Sequence, residues 1–297
     1  MTLSIRPIDP VSRPFFAAEA SGIDITRPLT PEQAASIEKG MDQYAVLVFH
    51  GQRFDDETQL NFSRNFGRLE EASGDLNWGK PRRLESALVN DISNLDIDNQ
   101  VLARDSRKRL FTLGNRLWHS DSSFKEIPAK FSLLSARSIP SAGGNTEFAD
   151  MRAAYDTLDN ETRAEIADLV CEHSQMYSRS LIGFADFTEE DRIRFKPVQQ
   201  RLVRTHPSTG RRSLYLASHA GAILGWPVPE ARALLRDLIE HATQREFVYA
   251  HQWSQWDLVM WDNRATMHRA RPFDPKEVRD MHRTTVGCER STMAEAA

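Results

Sequence analysis

The stretch DLVMWDNR, residues 257–264, carries the pattern from which the fold class follows, because a short apolar run ends there in a polar turn. Runs of four to eight apolar or β-branched residues between turn signals are typical of strands. Along the whole chain the same pattern predicts strands at 45–50, 131–137, 202–206, 213–217, 247–252, 258–261 and 282–286.

Turn signals such as SAGG at 141–144 and PSTG at 207–210 separate these runs. The strands do not alternate regularly with helices, which disfavours a doubly wound parallel sheet. We therefore expect a mainly β fold with flanking helices around a double-stranded β-helix, or jelly-roll, core. Some other α+β arrangement is the alternative.

Helix signals are few and well marked. Thr30, Pro31 and Gln33 form a capping-box pattern with a first-turn proline, which predicts a helix to about residue 44. Further helices are expected at 56–66, stopping at Gly67, at 151–155 after an Asp150 cap, and at 161–170. After Pro229, apolar residues at i, i+3, i+4, i+7 and i+8 predict the clearest helix.

Composition limits the possible functions. The chain has 297 residues with a net charge of −4 and no basic stripe, which argues against a nucleic-acid partner. No Pro/Gly/Ser linker divides it, so residues 1–297 are expected to form a single domain. Two cysteines imply no disulfide framework, and no apolar run reaches signal-peptide or membrane-spanning length. We expect a cytoplasmic, membrane-free homo-oligomer that acts on a small molecule.

Most of the nine histidines have an ordinary interpretation. His173 and His241 lie among charged neighbours in predicted helical stretches, where a solvated position is the simplest expectation. His50 and His251 belong to predicted strands and are interpreted as ordinary, partly buried histidines.

His119 and Asp121 form a more specific pattern. In an extended chain residues i and i+2 point to the same side, so the two side chains can bind one ion. A histidine from a distant strand would complete a two-histidine, one-carboxylate triad, which holds Fe(II) and leaves positions open for substrate and O2. His-x-Asp alone also arises by chance.

Two arginines follow His268 in the C-terminal third of the chain. Arg279 comes eleven residues later, and its guanidinium matches the bidentate geometry of a carboxylate. Arg283 comes four residues after Arg279, so both would project to one face of a strand, about 13 Å apart. One can then bind a first anion while the other reaches a second. For a single arginine, a surface charge is the competing interpretation.

Five motifs follow one another along the chain: WHSD at 118–121, GGNTEF at 143–148, THPSTGR at 205–211, WDNR at 261–264 with HR at 268–269, and Arg279 with RTT at 283–285. They resemble the taurine/2,4-D dioxygenase family of Fe(II)- and 2-oxoglutarate-dependent oxygenases. The resemblance runs from about Gly22 to Gly287. FADMRAAYD at 148–156 and HATQREFVY at 241–249 are most similar to its 2,4-dichlorophenoxyacetate dioxygenase branch.

The resemblance implies a jelly-roll core with His119, Asp121 and His268 as iron ligands. It implies that Thr146 and Arg279 hold the distal carboxylate of 2-oxoglutarate, with O2 as the other cosubstrate. Asn115 and Arg283 match positions that contact the anionic primary substrate. The chemistry implied is hydroxylation beside the ether oxygen of an aryloxyacetate, which releases a phenol and glyoxylate, with succinate and CO2.

The chain departs from the family at the two positions where lysines line the 2,4-D pocket. The first of these positions is occupied by Asp75 or Leu76, and the second by Asn99 or Gln100. The primary substrate therefore stays open: an alkylsulfonate such as taurine, an aryloxypropionate or another small carboxylate is the alternative. Two other classes are a zinc hydrolase, which can use the same ligands, and a non-catalytic jelly-roll binding module. Neither needs the Thr146 and Arg279 pair.

Overall fold

The structure is a computed structural model that describes residues 3–72 and 81–295. The predicted departure at Asp75 or Leu76 lies outside these residues. The described strands are β1 Ser4–Pro7, β2 Ala18–Ser21, β3 Val46–Phe49, β4 Asn90–Asp91, β5 Ala129–Ser138, β6 Thr146–Asp150, β7 Val170–His173, β8 Val198–Arg201, β9 Val203–Thr205, β10 Arg212–Leu214, β11 Ala220–Ile223, β12 Val248–His251, β13 Leu258–Asp262, β14 Thr266–Ala270 and β15 Asp280–Gly287.

Helices connect and cover the strands. The described α-helices are α1 Pro31–Tyr44, α2 Asp56–Arg64, α3 Arg107–Thr112, α4 Met151–Asp156, α5 Asn160–Ile166, α6 Gln175–Ser180, α7 Glu189–Arg194 and α8 Val228–Ala242. Short 3-10 helices lie at Leu113–Arg116, Arg245–Phe247 and Thr292–Ala294.

Two facing sheets form the core. The larger has seven strands in the order β1-β2-β3-β13-β5-β15-β4, and the smaller has the order β12-β6-β14. Phe148 of β6 packs in one buried cluster with Leu134 of β5, Val259 and Trp261 of β13 and Met281 of β15. The inner faces of both sheets therefore share one apolar layer, as in a jelly roll, and the predicted fold class is confirmed.

Helices cover both outer faces. Ile37 and Met41 of α1 and Phe62 of α2 pack on the outside of the larger sheet. Leu235 and Leu238 of α8 belong to the cluster that lies beyond the smaller sheet. Among the described helices, none combines the length and the apolar character needed to cross a bilayer.

The predicted helix starts lie within two residues of the observed ones, with α5 beginning at Asn160 and α8 at Val228, and two predicted ends are wrong. Thr30 forms the capping box of α1, and Asp150 caps α4. Helix α2 ends at Arg64, before the expected 66, because the Asn65 side-chain amide donates to the carbonyls of Asn61 and Phe62. Helix α5 ends at Ile166 because Val170 already pairs with β8.

The interpretation of His173 as a solvated helix residue is wrong. His173 lies at the end of β7, is 0% exposed, and stacks on Tyr215 with ring centroids 5.8 Å apart. Burial lowers the pKa of His173 to about 3, so the ring is neutral. Strand β7 is short and polar in sequence, and its pairing with β8 and β11 causes the burial.

Candidate metal centre and its two cavities

One short backbone bridge brings the predicted ligands together. The amide of His119 donates to the carbonyl of His268 at 3.0 Å, and the amide of His268 donates back at 2.8 Å. Ligand atoms of His119, Asp121 and His268 all lie within 4.8 Å of one another, and the three residues are buried. Nε2 of His119 lies 3.9 Å from Oδ1 of Asp121, and Nε2 of His268 lies 3.8 Å from Oδ2 of Asp121. The predicted triad is therefore assembled in space.

Neighbouring hydrogen bonds orient these side chains. Nδ1 of His119 lies 2.8 Å from the carbonyl of Leu117 and donates to it, which leaves Nε2 free as a ligand. Ser132 donates from Oγ to Oδ2 of Asp121 at 2.7 Å. Asn263 accepts from the amide of Asp121 at 3.0 Å and donates to Ser132 at 3.0 Å. Asn263 of the WDNR motif thus helps to hold Asp121, the candidate carboxylate ligand, in place.

The charges at the triad suit a divalent cation. Burial raises the pKa of Asp121, but the charges of Arg283, His268 and His119 and the Ser132 hydrogen bond together outweigh it, so the pKa falls to about 2. Burial also lowers the pKa of His119 and of His268. At neutral pH the site is thus one carboxylate and two neutral imidazoles. That donor set fits Fe(II) with open positions, and it would also accept Zn(II).

Two cavities meet at His119. The first, here called the Arg279 cavity, is lined by residues that include Thr146, His268, Phe273 and Arg279. The second, here called the Arg179 cavity, is lined by residues that include Phe124, Arg179 and His219. Asn115, His119 and Arg283 line both cavities.

Arg279 is a buried cation within the first cavity. Nη2 of its guanidinium donates to the carbonyl of Gly144 at 3.5 Å, and burial lowers the pKa of Arg279 to about 10. The Gly143-Gly144 turn approaches it closely, because a Cβ on Gly144 would lie 3.4 Å from Nε of Arg279. Thr146 lies in the same cavity and accepts from Nε1 of Trp253 at 3.0 Å. A cation without a carboxylate partner among the described residues creates a site for an anion.

Arg283 and Asn115 both have partners that sequence analysis missed. Arg283 donates from Nη1 to Oδ1 of Asp121 at 2.5 Å. Asn115 accepts from Nη2 of Arg179 at 3.3 Å. Asn99 lies in an exposed turn with a φ of +59°, away from the triad contacts. No sequence signal pointed to Arg179, Ser132 or His219, since no motif contains them and their burial depends on tertiary packing.

Known dioxygenases are similar to this chain along nearly its whole length. Residues 4–285 match the family described as "Taurine catabolism dioxygenase TauD, TfdA family". The chain belongs to this family. It is 46% identical over 272 residues to the "Alpha-ketoglutarate-dependent 2,4-dichlorophenoxyacetate dioxygenase" of Cupriavidus pinatubonensis, a match that covers 92% of this chain and 94% of the relative.

Two further relatives agree with that result. The "(S)-phenoxypropionate/alpha-ketoglutarate-dioxygenase" of Delftia acidovorans is 36% identical, over 83% of this chain and 84% of the relative. The crystal structure of AAD-2 in complex with Mn(II) and N-oxalylglycine superposes with a TM-score of 0.95 at 59% identity, covering 98% of this chain and 100% of that one.

This family member is thus a dioxygenase, an oxidoreductase that depends on α-ketoglutarate, which is 2-oxoglutarate, and acts on a small molecule. The predicted dependence on Fe(II), 2-oxoglutarate and O2 is confirmed at the level of the family. The alternatives of a zinc hydrolase and of a non-catalytic binding module are therefore set aside.

Proposed function

We propose that this dioxygenase hydroxylates the carbon beside the ether oxygen of an aryloxyacetate similar to 2,4-D. The observation that carries the proposal is the 46% identity to the Cupriavidus relative over 92% of the chain, together with an assembled triad. An aryloxyacetate, 2-oxoglutarate and O2 would give a hemiacetal, succinate and CO2. The hemiacetal then collapses to a phenol and glyoxylate.

The residue roles follow the predicted assignment. His119, Asp121 and His268 are the proposed iron ligands, since their ligand atoms lie within 4.8 Å of one another. When bound, Fe(II) supplies the activation of O2 that is coupled to oxidation of 2-oxoglutarate. The imidazoles stay neutral because burial lowers the pKa of both, so they bind metal rather than protons at neutral pH.

The chain's own residues bind and orient the two organic molecules. Arg279 and Thr146 are proposed to hold the distal carboxylate of 2-oxoglutarate, because the Arg279 guanidinium is buried beside Thr146 without a carboxylate partner among the described residues. Asn115 and Arg283 are proposed to contact the primary substrate, since both line the two cavities at His119.

An aryloxypropionate is the second candidate substrate. The 36% identity to the Delftia relative, whose name specifies (S)-phenoxypropionate, favours it over taurine. The additional methyl group lies on the carbon that would be hydroxylated, so one site can accept both substrates if the wall beside that carbon leaves space for it.

We also propose that residues 1–297 act as one domain, since the family match spans residues 4–285. The cysteines Cys171 and Cys288 are both free, which supports the proposed cytoplasmic location. A homo-oligomer without nucleic-acid or membrane partners remains part of the proposal.

The test is a substrate panel with succinate release as the readout. Wild-type protein with Fe(II), 2-oxoglutarate and O2 is given phenoxyacetate, 2,4-D, both enantiomers of phenoxypropionate, and taurine, with anaerobic samples and Asp121→Ala as controls. Succinate and phenol should form in equal amounts with the aryloxy acids and only in the presence of O2. Faster turnover of taurine than of every aryloxy acid would overturn the substrate assignment and leave the family chemistry intact.

A further inference from the structure

Buried arginines divide into two groups. Five arginines of the described chain are buried. Three of them form ion pairs with a carboxylate, and these pairs are Arg152–Asp150, Arg204–Glu295 and Arg264–Asp262. Arg179 and Arg279 have no ion pair among the described residues. Burying a guanidinium without an anionic partner is unfavourable in free energy, so both positions favour the binding of an anionic ligand.

The two unpaired arginines lie in different cavities that meet at His119. Arg279 lines the first and Arg179 the second. Because His119 lines both cavities, each of the two arginines shares a cavity wall with the triad. The proposed reaction brings two organic anions to one metal, and the structure offers one unpaired cation on each side of a metal ligand.

The guanidinium of Arg179 is held in place. Its Cζ lies 4.5 Å from the ring centroid of Phe111, a cation–π contact. On Gly114, a Cβ would come within 2.4 Å of the guanidinium, so only glycine allows this approach. Nη1 donates to Ser178 at 3.1 Å and Nη2 donates to Asn115 at 3.3 Å. The buried Nε has no hydrogen-bond partner in the described chain.

The acidic residues that line this cavity are already bound by other cations. Asp121 accepts from Arg283. Asp91 forms ion pairs with Arg83 at 2.8 Å and Lys108 at 2.9 Å. The charge of Arg179 therefore remains unneutralised by the cavity walls, which favours an anion over a neutral ligand.

The other walls suit an aromatic acid. Phe124 lies edge-on to His219 with ring centroids 5.0 Å apart, and Ile92 also lines the cavity. These side chains provide apolar surface beside the cation. A small ligand with a carboxylate at one end and a ring at the other matches this combination.

We propose that Arg179 is the receptor for the carboxylate of the primary substrate, an aryloxyalkanoate, and so determines specificity for an acid. This proposal rests on the proposed function and adds a residue to it. Asn115 and Arg283 keep their proposed contacts with the primary substrate. Asn115 in addition holds Arg179, and Arg283 in addition pairs with Asp121.

Binding can be measured without turnover. Wild type, Arg179→Met and Arg179→Lys are loaded with Mn(II) and N-oxalylglycine, and titration calorimetry gives the Kd for phenoxyacetate and for neutral phenoxyacetamide. Arg107→Met is the matched control, because Arg107 lies on α3 outside both cavities and is bound to Asp186 and Asp191. The Kd for N-oxalylglycine itself is measured with Mn(II) alone.

Arg179→Met should weaken phenoxyacetate binding at least about 30-fold, the loss expected when a buried charge pair loses one partner. It should leave the Kd for phenoxyacetamide and for N-oxalylglycine within about threefold of wild type. Arg179→Lys keeps the charge but not the planar fork, so an intermediate loss is expected. Arg107→Met should bind all three ligands like wild type.

Two results would overturn the inference. One is an unchanged Kd for phenoxyacetate in both Arg179 variants. The other is an equal loss for phenoxyacetate and phenoxyacetamide, which would indicate a packing role. Arg179→Lys preserves the test if Arg179→Met does not fold. Succinate release by wild type in the substrate panel tests the proposed function separately. If wild type turns over aryloxy acids but the Arg179 variants bind phenoxyacetate with an unchanged Kd, only the inference about Arg179 is wrong.

Discussion

Arg283 and Asp121 form a direct ion pair, with Nη1 of the arginine 2.5 Å from Oδ1 of the carboxylate. The pair lies at the point where the two cavities meet, since Asp121 lines the Arg179 cavity and Arg283 lines both. Burial raises the pKa of Asp121, and the charge of Arg283 is the largest of several effects that together lower it. Arg283 therefore helps to keep Asp121, a proposed metal ligand, ionised while it lines both cavities.

The triad gives the first prediction. His119→Ala, Asp121→Ala and His268→Ala should each lose nearly all oxygenase activity and bind Mn(II) at least about 100-fold more weakly, because a three-ligand site loses both affinity and geometry. Equilibrium dialysis with Mn(II) and succinate release measure the two effects. His241→Ala, on helix α8, is the control and should resemble wild type. A triad variant with wild-type turnover would contradict the ligand assignment.

The hydrogen bond from Ser132 to Asp121 gives the second prediction. Ser132→Ala removes a 2.7 Å hydrogen bond to Oδ2 and should weaken Mn(II) binding about 10-fold, the usual effect of losing a partner of a ligand. Ser135→Ala is the matched control, because Ser135 is also buried on β5 but donates to Gln59. Equal Mn(II) affinity in the two variants would show that the hydrogen bond does not orient Asp121.

Arg283 itself can be tested through two affinities. Arg283→Ala should raise the KM for the primary substrate about 10- to 100-fold, the range expected when a charge-assisted contact is lost. The KM for the cosubstrate should change much less. Weaker Mn(II) binding should accompany the loss, because Asp121 then lacks its cationic partner. If the KM for the cosubstrate rose more than that for the primary substrate, Arg283 would belong to the cosubstrate site.

The cosubstrate site is predicted to depend on the planar fork of Arg279. Arg279→Lys should raise the KM for the cosubstrate about 10-fold or more, since the charge remains but the bidentate geometry is lost. Thr146→Val should raise it about fivefold, because one hydrogen bond is worth about 1 kcal/mol. Thr146→Ser keeps the hydroxyl that accepts from Trp253 and is the control. An unchanged KM for the cosubstrate in Arg279→Lys would show that another residue binds the cosubstrate.

His173 makes the stability depend on pH. Its folded pKa is about 3, below the ordinary 6.5, so below pH 6.5 the unfolded chain binds a proton that the folded chain does not. Stability should thus fall as pH drops from 6.5 toward 3. Between pH 7.5 and 5, urea unfolding should show a loss about 2 kcal/mol greater in wild type than in His173→Phe, which keeps a ring against Tyr215. Equal losses would show that His173 is not protonated on unfolding.

Local sequence patterns were enough to predict the fold class, the starts of the main helices and the His119–Asp121 pair, and the family resemblance added His268. These features depend on neighbouring residues: apolar runs between turns, the Thr30 capping box, and the i, i+2 spacing of His119 and Asp121. The motif around residues 261–264 pointed to the site, but only the structure shows that Asn263 braces Asp121.

Long-range packing established which polar groups are buried and which charges are paired. Arg179 and His173 look like ordinary surface residues in sequence, yet both are buried because distant strands and helices close over them. Arg283 pairs with Asp121 across 162 positions of the chain, and local spacing carries no information about such a contact. Burial and long-range pairing depend on how separate elements pack, and so the second unpaired cation beside the metal site became visible only in the folded chain.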